Sequence, residues 1–142
     1  MSASLVWQII RNNSCFLVKQ RNGVSFSSEP NNLTKINSFK FSGLANDRVV
    51  GVNANADGGV TLAVKSKKKS KTQKPAKAFT KIVLKKDFRR TAKTIINNTS
   101  GNHYRSDLKA AALARYTAIA KSQKLAASGI IKKPKTKRGS RK

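Results

Sequence analysis

Acidic residues are scarce in this chain. Its 142 residues include 5 Asp and Glu against 31 Lys and Arg, which gives a formal net charge of +26 at pH 7. Charge of one sign at this density opposes compaction unless a polyanion neutralises it. Nucleic acid is the commonest polyanion, and the sequence pI of about 11.2 fits a nucleic-acid-binding protein. The composition therefore predicts a nucleic-acid partner, with a membrane surface or an acidic protein as the alternative.

Cysteine and histidine are almost absent. Cys15 and His103 are the single examples of their types, so an intramolecular disulfide is excluded and a four-ligand zinc site is not expected. The apolar neighbours of Cys15 predict a small core residue rather than a reactive thiol. Because paired carboxylates, a nucleophile elbow and a glycine-rich phosphate loop are also missing, we expect no enzyme, no cofactor and no small-molecule substrate.

Long apolar runs are lacking too. No stretch approaches the roughly 18 apolar residues of a membrane span, and the first ten residues do not resemble a secretory signal. We therefore expect no membrane partner and a cytosolic or nuclear protein. Apolar residues make up 38% of the chain, below the usual 45–50% or so, which predicts one domain with a small core and basic appendages.

Alternating apolar residues predict an antiparallel sheet in the first half of the chain. Asn22-Gly23 and residues 55–59 tolerate positive φ, and each lies between alternating runs, which indicates two hairpins. Phe39-Lys40-Phe41 alternates in the same way and predicts another strand, its rings more suited to a core than to stacking on bases. Residues 4–11 fit either a short helix with a serine cap or a strand.

Two helices are predicted in the second half. Asp87 should cap the first, which runs to about Asn98, and the second should run from Leu108 to about Lys124. The residues expected to face the core from the first helix are Phe88, Ala92, Ile95 and Ile96. Those expected to face it from the second are Leu108, Ala112, Tyr116 and Ile119.

These elements define an α+β fold, a small antiparallel sheet packed by helices, with a basic extended linker and a basic C-terminal tail. We expect a sheet-rich part over residues 1–64, a lysine-rich linker over 65–78, a helical part of the same body over 79–128 and the tail over 129–142. Like charges crowd the linker and apolar groups are few, so we expect it to be mobile in the free protein and non-helical on RNA.

Three groups of basic residues are predicted to hold RNA phosphates, because lysine acts as a point charge that does not read base identity. The linker group is Lys65, Lys67, Lys68, Lys69, Lys71, Lys74 and Lys77. The helix group is Arg89, Arg90 and Lys93. The tail group is Lys132, Lys133, Lys135, Lys137, Arg138, Arg141 and Lys142. The alternatives are solvated charge without function and nuclear-import signals, the latter being compatible with RNA binding.

Several segments together resemble the eukaryotic large-subunit ribosomal protein family number twenty-eight. The most specific is Glu29-Pro30-Asn31-Asn32-Leu33. The other matching pieces are Trp7, Asn12 to Ser14, Phe16-Leu17-Val18-Lys19, Asn37-Ser38-Phe39, Ser42-Gly43-Leu44, Val50-Gly51-Val52, Ala56-Asp57-Gly58, Tyr104-Arg105-Ser106-Asp107-Leu108, Ala111-Ala112 and Ser122-Gln123-Lys124. The family often has Pro where this chain has Ser106, a change that replaces a rigid helix start with a capping side chain.

The resemblance implies a structural constituent of the large ribosomal subunit. Such a protein would bind ribosomal RNA beside neighbouring ribosomal proteins and support cytoplasmic translation, with nuclear and nucleolar transit during assembly. The first part of the chain also resembles a family of nucleolar ribosome-assembly factors, whose cysteine cluster and acidic tails are missing here. A DNA-compacting basic protein is the third alternative, and the predicted hairpins and aromatic core count against it.

Overall fold

The computed structural model describes residues 2–56 and 58–129. Its helices and strands are, in chain order, α1 (Ala3–Ile10), β1 (Leu17–Lys19), β2 (Ser25–Ser27), β3 (Val50–Ala54), β4 (Val60–Lys65), α2 (Lys69–Thr72), β5 (Phe79–Leu84), α3 (Phe88–Ile96) and α4 (Lys109–Ala127). Short 3₁₀ turns cover Phe39–Phe41, Pro75–Lys77 and Ser106–Leu108, and a π turn covers Asn97–Gly101. The predicted α+β class is confirmed.

The strands form two antiparallel sheets, β1-β2 and β3-β4-β5. Gly23 adopts φ 74° in the first hairpin, and Gly58 and Gly59 adopt 82° and 78° in the second, so both predicted hairpins are confirmed. Strand β5 pairs with the whole of β4, from Val60 opposite Leu84 to Lys65 opposite Phe79. The segment after the lysine-rich stretch is therefore part of the main sheet.

The core lies between one face of the β3-β4-β5 sheet and helices α3 and α4. The central strand contributes Leu62, which is 0% exposed. Helix α4 and the 3₁₀ turn before it bury the face that the sequence predicts: Leu108, Ala112, Tyr116 and Ile119. Burial of these side chains supplies the main driving force for the fold.

Helix α3 begins as predicted and buries Ile95 as expected, but the first residue of its predicted core face is exposed. The Asp87 carboxylate accepts a hydrogen bond from the Arg90 N–H at 3.4 Å, which confirms the cap. The buried residues are Thr91 and Ile95, whereas Phe88 is 46% exposed, so the predicted stripe is wrong at its first position. Thr91 can be buried because its hydroxyl donates to the Lys86 carbonyl at 3.0 Å, which satisfies the polar group.

Residues Phe39–Phe41 form a 3₁₀ turn, so the prediction of a strand there is wrong. The Ser42 N–H donates to the Ser38 carbonyl at 3.0 Å, and the Asn46 amide donates to the Phe39 carbonyl at 2.6 Å. Local hydrogen bonds of this kind compete with a strand ladder. The Phe39 ring is exposed and lies 6.0 Å from the half-buried Trp7 ring, measured between centroids.

The first segment is a helix rather than a strand. Ser2 caps α1 by accepting a hydrogen bond from the Leu5 N–H at 3.3 Å. No residue of α1 is buried.

Cys15 is exposed, so the prediction of a core cysteine is wrong. It lies in a tight turn at the surface, closed by the Leu17 N–H donating to the Ser14 carbonyl at 3.1 Å.

The Glu29–Leu33 segment folds around a buried carboxylate. Glu29 is 3% exposed and accepts hydrogen bonds from the Asn32 amide at 2.8 Å and the Ser42 hydroxyl at 3.2 Å. The Lys35 ammonium donates to the Glu29 backbone carbonyl at 2.9 Å. This network ties the loop after β2 to the 3₁₀ turn, because a buried carboxylate is tolerated only when it is hydrogen-bonded.

A second polar junction is built by Arg105. Its guanidinium donates to both carboxylate oxygens of Asp107, at 2.9 and 2.8 Å. It also donates to the backbone carbonyls of Arg48 and Lys40, at 2.8 and 3.0 Å. The start of the last helical segment is thereby fixed to the loops before β3. The hydrogen bond from Arg105 is the main cause that lowers the pKa of Asp107 below its ordinary value of 3.8.

We expect this junction to weaken in acid. Because the folded-state pKa of Asp107 is depressed, its contribution to stability is present above about pH 4 and is lost as the pH falls through the folded-state value. Urea unfolding between roughly pH 5 and pH 2 should therefore show a smaller loss of stability for Asp107→Asn than for the original chain. Asp47→Asn, at another exposed acid, serves as the control and should follow the original chain. If the free energy of unfolding falls with pH equally in all three proteins, the proposed contribution of Asp107 to stability would be contradicted.

Candidate nucleic-acid interface

The lysine-rich segment is the loop of a β-hairpin. Lys65 ends β4 opposite Phe79 of β5, and the Ser66 N–H donates to the Ala78 carbonyl at 2.8 Å. We call residues 66–78 the lysine loop. It joins two strands of one sheet, and without RNA it contains α2 and a 3₁₀ turn, so its non-helical conformation on RNA stays a prediction. These turns form because hydrogen bonds within one turn need no apolar partner; mobility in the free protein stays a prediction.

Most predicted cations of the lysine loop lie on the surface. The exposed residues are Lys67, Lys68, Lys71, Lys74 and Lys77, while Lys69 is the first residue of α2. The Lys67 ammonium lies 5.6 Å from the centroid of the Tyr104 ring, within the range of a cation–π contact. The loop therefore places several ammonium groups on the surface, where they are open to solvent.

Lys65 differs from the others. It is half-buried, and its ammonium donates to the Asn46 backbone carbonyl at 2.9 Å. That hydrogen bond crosses from the end of β4 to the loop before β3. Lys65 therefore serves the fold as well as carrying charge, which separates it from the remaining lysines of its predicted group.

Tyr104 anchors the start of the lysine loop, a role that the sequence analysis missed. Its hydroxyl donates to the Lys65 carbonyl at 2.6 Å and accepts from the Val49 N–H at 3.1 Å. Burial is the main cause that raises the pKa of Tyr104 above its ordinary value of 10.0. No local pattern could have shown this role, because both partners lie about 40 or more residues away.

The helix group is exposed but lies at the other end of the sheet. Arg89, Arg90 and Lys93 all face solvent on α3, and the Arg90–Asp87 ion pair, at 3.3 Å, joins side chains that are more than half exposed, so it adds little stability. Helix α3 starts at Phe88, four residues after β5 ends at Leu84, whereas the lysine loop ends at Ala78, directly before β5. A six-residue strand at about 3.3 Å per residue separates the two groups by roughly 17 Å.

Further cations lie between the two groups. Lys81 is exposed on β5, and Lys85 and Lys86 follow the strand. Lys85, Lys86 and Lys124 line a cleft of about 440 Å³ beside the exposed ring of Phe88. The Lys85-Lys86 pair is visible in the sequence as a further basic signal, whereas Lys124 joins it only through the fold.

The seven basic residues of the tail lie outside the described residues. Their predicted contacts with phosphate therefore stay predictions: Lys132, Lys133, Lys135, Lys137, Arg138, Arg141 and Lys142.

Within residues 2–56 and 58–129, no three His, Cys, Asp or Glu side chains are grouped to hold a metal ion. Over the same residues, no helix is both long and apolar enough to cross a membrane.

The fold and its surface define a small, strongly basic α+β protein whose described cations lie on a hairpin loop, along β5 and on α3. The sequence model of the Ribosomal L28e protein family matches residues 5–122. The chain therefore belongs to the ribosomal L28e protein family.

Relatives in three organisms agree with this assignment, and each is named large ribosomal subunit protein eL28. The protein of Schizosaccharomyces pombe is 42% identical over 127 residues, which cover 87% of this chain and 94% of the relative. That of Caenorhabditis elegans is 42% identical over 118 residues, covering 81% and 90%. That of Dictyostelium discoideum is 35% identical over 135 residues, covering 95% and 98%.

Proposed function

We propose that this chain is a structural, non-catalytic constituent of the large ribosomal subunit that binds ribosomal RNA through phosphate contacts and supports cytoplasmic translation. The observation that carries the proposal is the similarity to proteins named for the large ribosomal subunit over 90% or more of their length. The net charge of +26 is independent support, because a polyanion relieves the self-repulsion of so basic a chain.

Affinity arises from neutralised phosphates. Each lysine or arginine that contacts a phosphate displaces condensed counterions, and their release drives binding. The exposed cations of the lysine loop, of β5 and of α3 supply such contacts at both ends of the sheet. Specificity comes from the shape of the RNA that fits between these groups, since lysine–phosphate contacts carry no sequence information.

A neighbouring protein is the second partner that we propose, at helix α1. The helix carries no charged residue, and Leu5 and Ile9 are 51% and 61% exposed. An uncharged apolar surface does not suit phosphates, and repulsion between two chains of +26 charge disfavours a second copy of this chain. An apolar surface on another ribosomal protein is the occupant that fits.

The proposed location is the cytoplasmic ribosome, with nuclear and nucleolar transit during assembly. The lysine loop has the composition of an import signal, which supports this transit. The alternative, a nucleolar assembly factor, would share the transit but would not stay with mature particles. The difference between the two is therefore the particle with which the chain is found.

Sedimentation of a cell lysate tests the proposal. A tagged chain should sediment with 60S subunits and polysomes, and most of it should move to the 60S peak when EDTA splits the ribosomes. A tagged small-subunit protein is the matched control and should move to 40S. Confinement to nucleolar pre-ribosomes would contradict the proposal in favour of the assembly factor, and recovery with chromatin would favour a DNA-compacting protein.

A further inference from the structure

A cleft of mixed polar and apolar lining lies on the face of the β3-β4-β5 sheet that is turned away from the helices. It has a volume of about 520 Å³, within the roughly 300–1,000 Å³ typical of ligand sites. Strand register places Asn53 opposite Thr61, and Ala63 opposite Lys81, on this face. The lysine loop closes one side of the cleft through Pro75 and Ala76.

The fold places one amide in the cleft at a conformational cost. Asn31 adopts φ 63°, a left-handed backbone that non-glycine residues seldom adopt. Its side chain lies against Gly51, where a Cβ atom would be 2.2 Å from the Asn31 Oδ1, so only glycine permits this approach. The Asn53 amide then donates to the Asn31 Oδ1 at 3.1 Å.

Three amides keep hydrogen-bonding capacity for a ligand. Thr61 donates to the Asn55 Oδ1, and Asn53 donates to Asn31. In the part of the chain that the structure describes, the Asn31 Nδ2, the Asn53 Oδ1 and the Asn55 Nδ2 make no hydrogen bond with protein. They comprise two donor groups and one acceptor, and amide groups of both kinds hydrogen-bond to the edges of nucleobases.

An aromatic ring and a cation complete the lining. Phe79, half-buried at the start of β5, offers a ring on which a base can stack, a contact that single-strand RNA modules use. Lys81 lies two residues further along the same face and can hold the adjoining phosphate. None of the described residues that line the cleft is acidic, so nothing there repels an RNA strand.

We propose that this cleft holds an unpaired RNA base, stacked on Phe79 and hydrogen-bonded by Asn53 and its two neighbouring amides. The inference rests on the proposed function and adds a site that discriminates between bases. Phosphate contacts elsewhere would bring the strand to the protein, and the cleft would select which nucleotide enters.

The test is binding of the full chain to short RNAs at one fixed salt concentration. The probes are single strands of A, of C and of U, each of about twelve nucleotides, and a duplex of the same length. The original chain should prefer one single strand over another by about tenfold, within the discrimination that a good amide–base contact gives. Asn53→Ala should abolish this preference without changing duplex affinity. Asn12→Ala, at an exposed asparagine outside the cleft, should keep it.

A second variant tests the stacking contact. Phe79→Leu keeps an apolar group but removes the ring, so every single strand should bind about five- to tenfold more weakly, with duplex affinity unchanged. Thermal melts establish that each variant is folded. Equal, salt-dependent binding of all three single strands by the original chain would overturn the cleft site and leave the proposed function standing. A preference that survives Asn53→Ala would also overturn it, and failure to bind any RNA would overturn both.

Discussion

Ile95→Ala should lower the free energy of unfolding by about 2–5 kcal/mol, the range for removing a large aliphatic side chain from a core. Ile95 is 0% exposed and belongs to the cluster that joins α3 to the sheet and α4. The cost combines lost transfer free energy with the cavity left behind, and a site enclosed on all sides relaxes little. Urea unfolding of the purified chain, monitored by circular dichroism, measures the difference.

Two further variants in α3 provide stability changes with which that of Ile95→Ala can be compared. Ile96→Ala removes the same atoms at a half-exposed position and should cost less than half as much. Phe88→Ala should cost only about 1–2 kcal/mol, because the ring is 46% exposed and contributes chiefly its contact with Tyr116, at a centroid distance of 4.9 Å. If Phe88→Ala lowers the free energy of unfolding more than Ile95→Ala does, Phe88 rather than Ile95 would be the residue of α3 that packs in the core.

The hairpins and the last helix could be predicted because their signals are local. Gly58 and Gly59 supply the positive φ that a tight turn needs. The face of α4 follows from apolar spacing along one helix. The cap at Asp87 needs only the N–H three residues later. In each case the residues that decide the structure are close together in the sequence.

The remaining features depend on partners that are distant in the sequence or on polar groups inside the fold. The burial of Thr91 on α3 could not be predicted because its side chain is polar, and only its hydrogen bond to the Lys86 carbonyl makes burial acceptable. The carboxylate of Glu29 is buried for the same kind of reason, with Ser42 thirteen residues away as a partner. Hydrophobic periodicity carries no information on such networks.

The sequence predicts which residues carry the positive charge of the candidate interface, but it does not predict where the fold places them. The lysine run predicts contact with a polyanion, yet only the fold shows that Lys65 is held by Asn46 and that Arg89 lies at the far end of β5 from the lysine loop. The amides of the sheet cleft come from the loop after β2, from β3 and from the turn that follows β3, so no sequence motif could have marked them.

If the exposed cations of the lysine loop hold RNA phosphates, their removal should change the salt dependence of RNA binding. The logarithm of the association constant should fall with the logarithm of salt concentration, by roughly 0.7 per phosphate neutralised on single strands and somewhat more on duplex. The variant changes six lysines to Gln and keeps Lys65 for the fold: Lys67, Lys68, Lys69, Lys71, Lys74 and Lys77.

If five of these lysines each hold one phosphate, the slope should become shallower by about 3.5 units. The matched control loses the same charge on exposed residues outside the candidate interface, through Gln at Arg11, Lys19, Arg21, Lys40, Lys109 and Lys121, and it separates local contacts from net charge. Binding of a large-subunit ribosomal RNA fragment by the three proteins across a salt series is the measurement. The slope should change more for the loop variant than for the control; an unchanged slope for the loop variant, or equal changes in both, would contradict phosphate binding by the lysine loop.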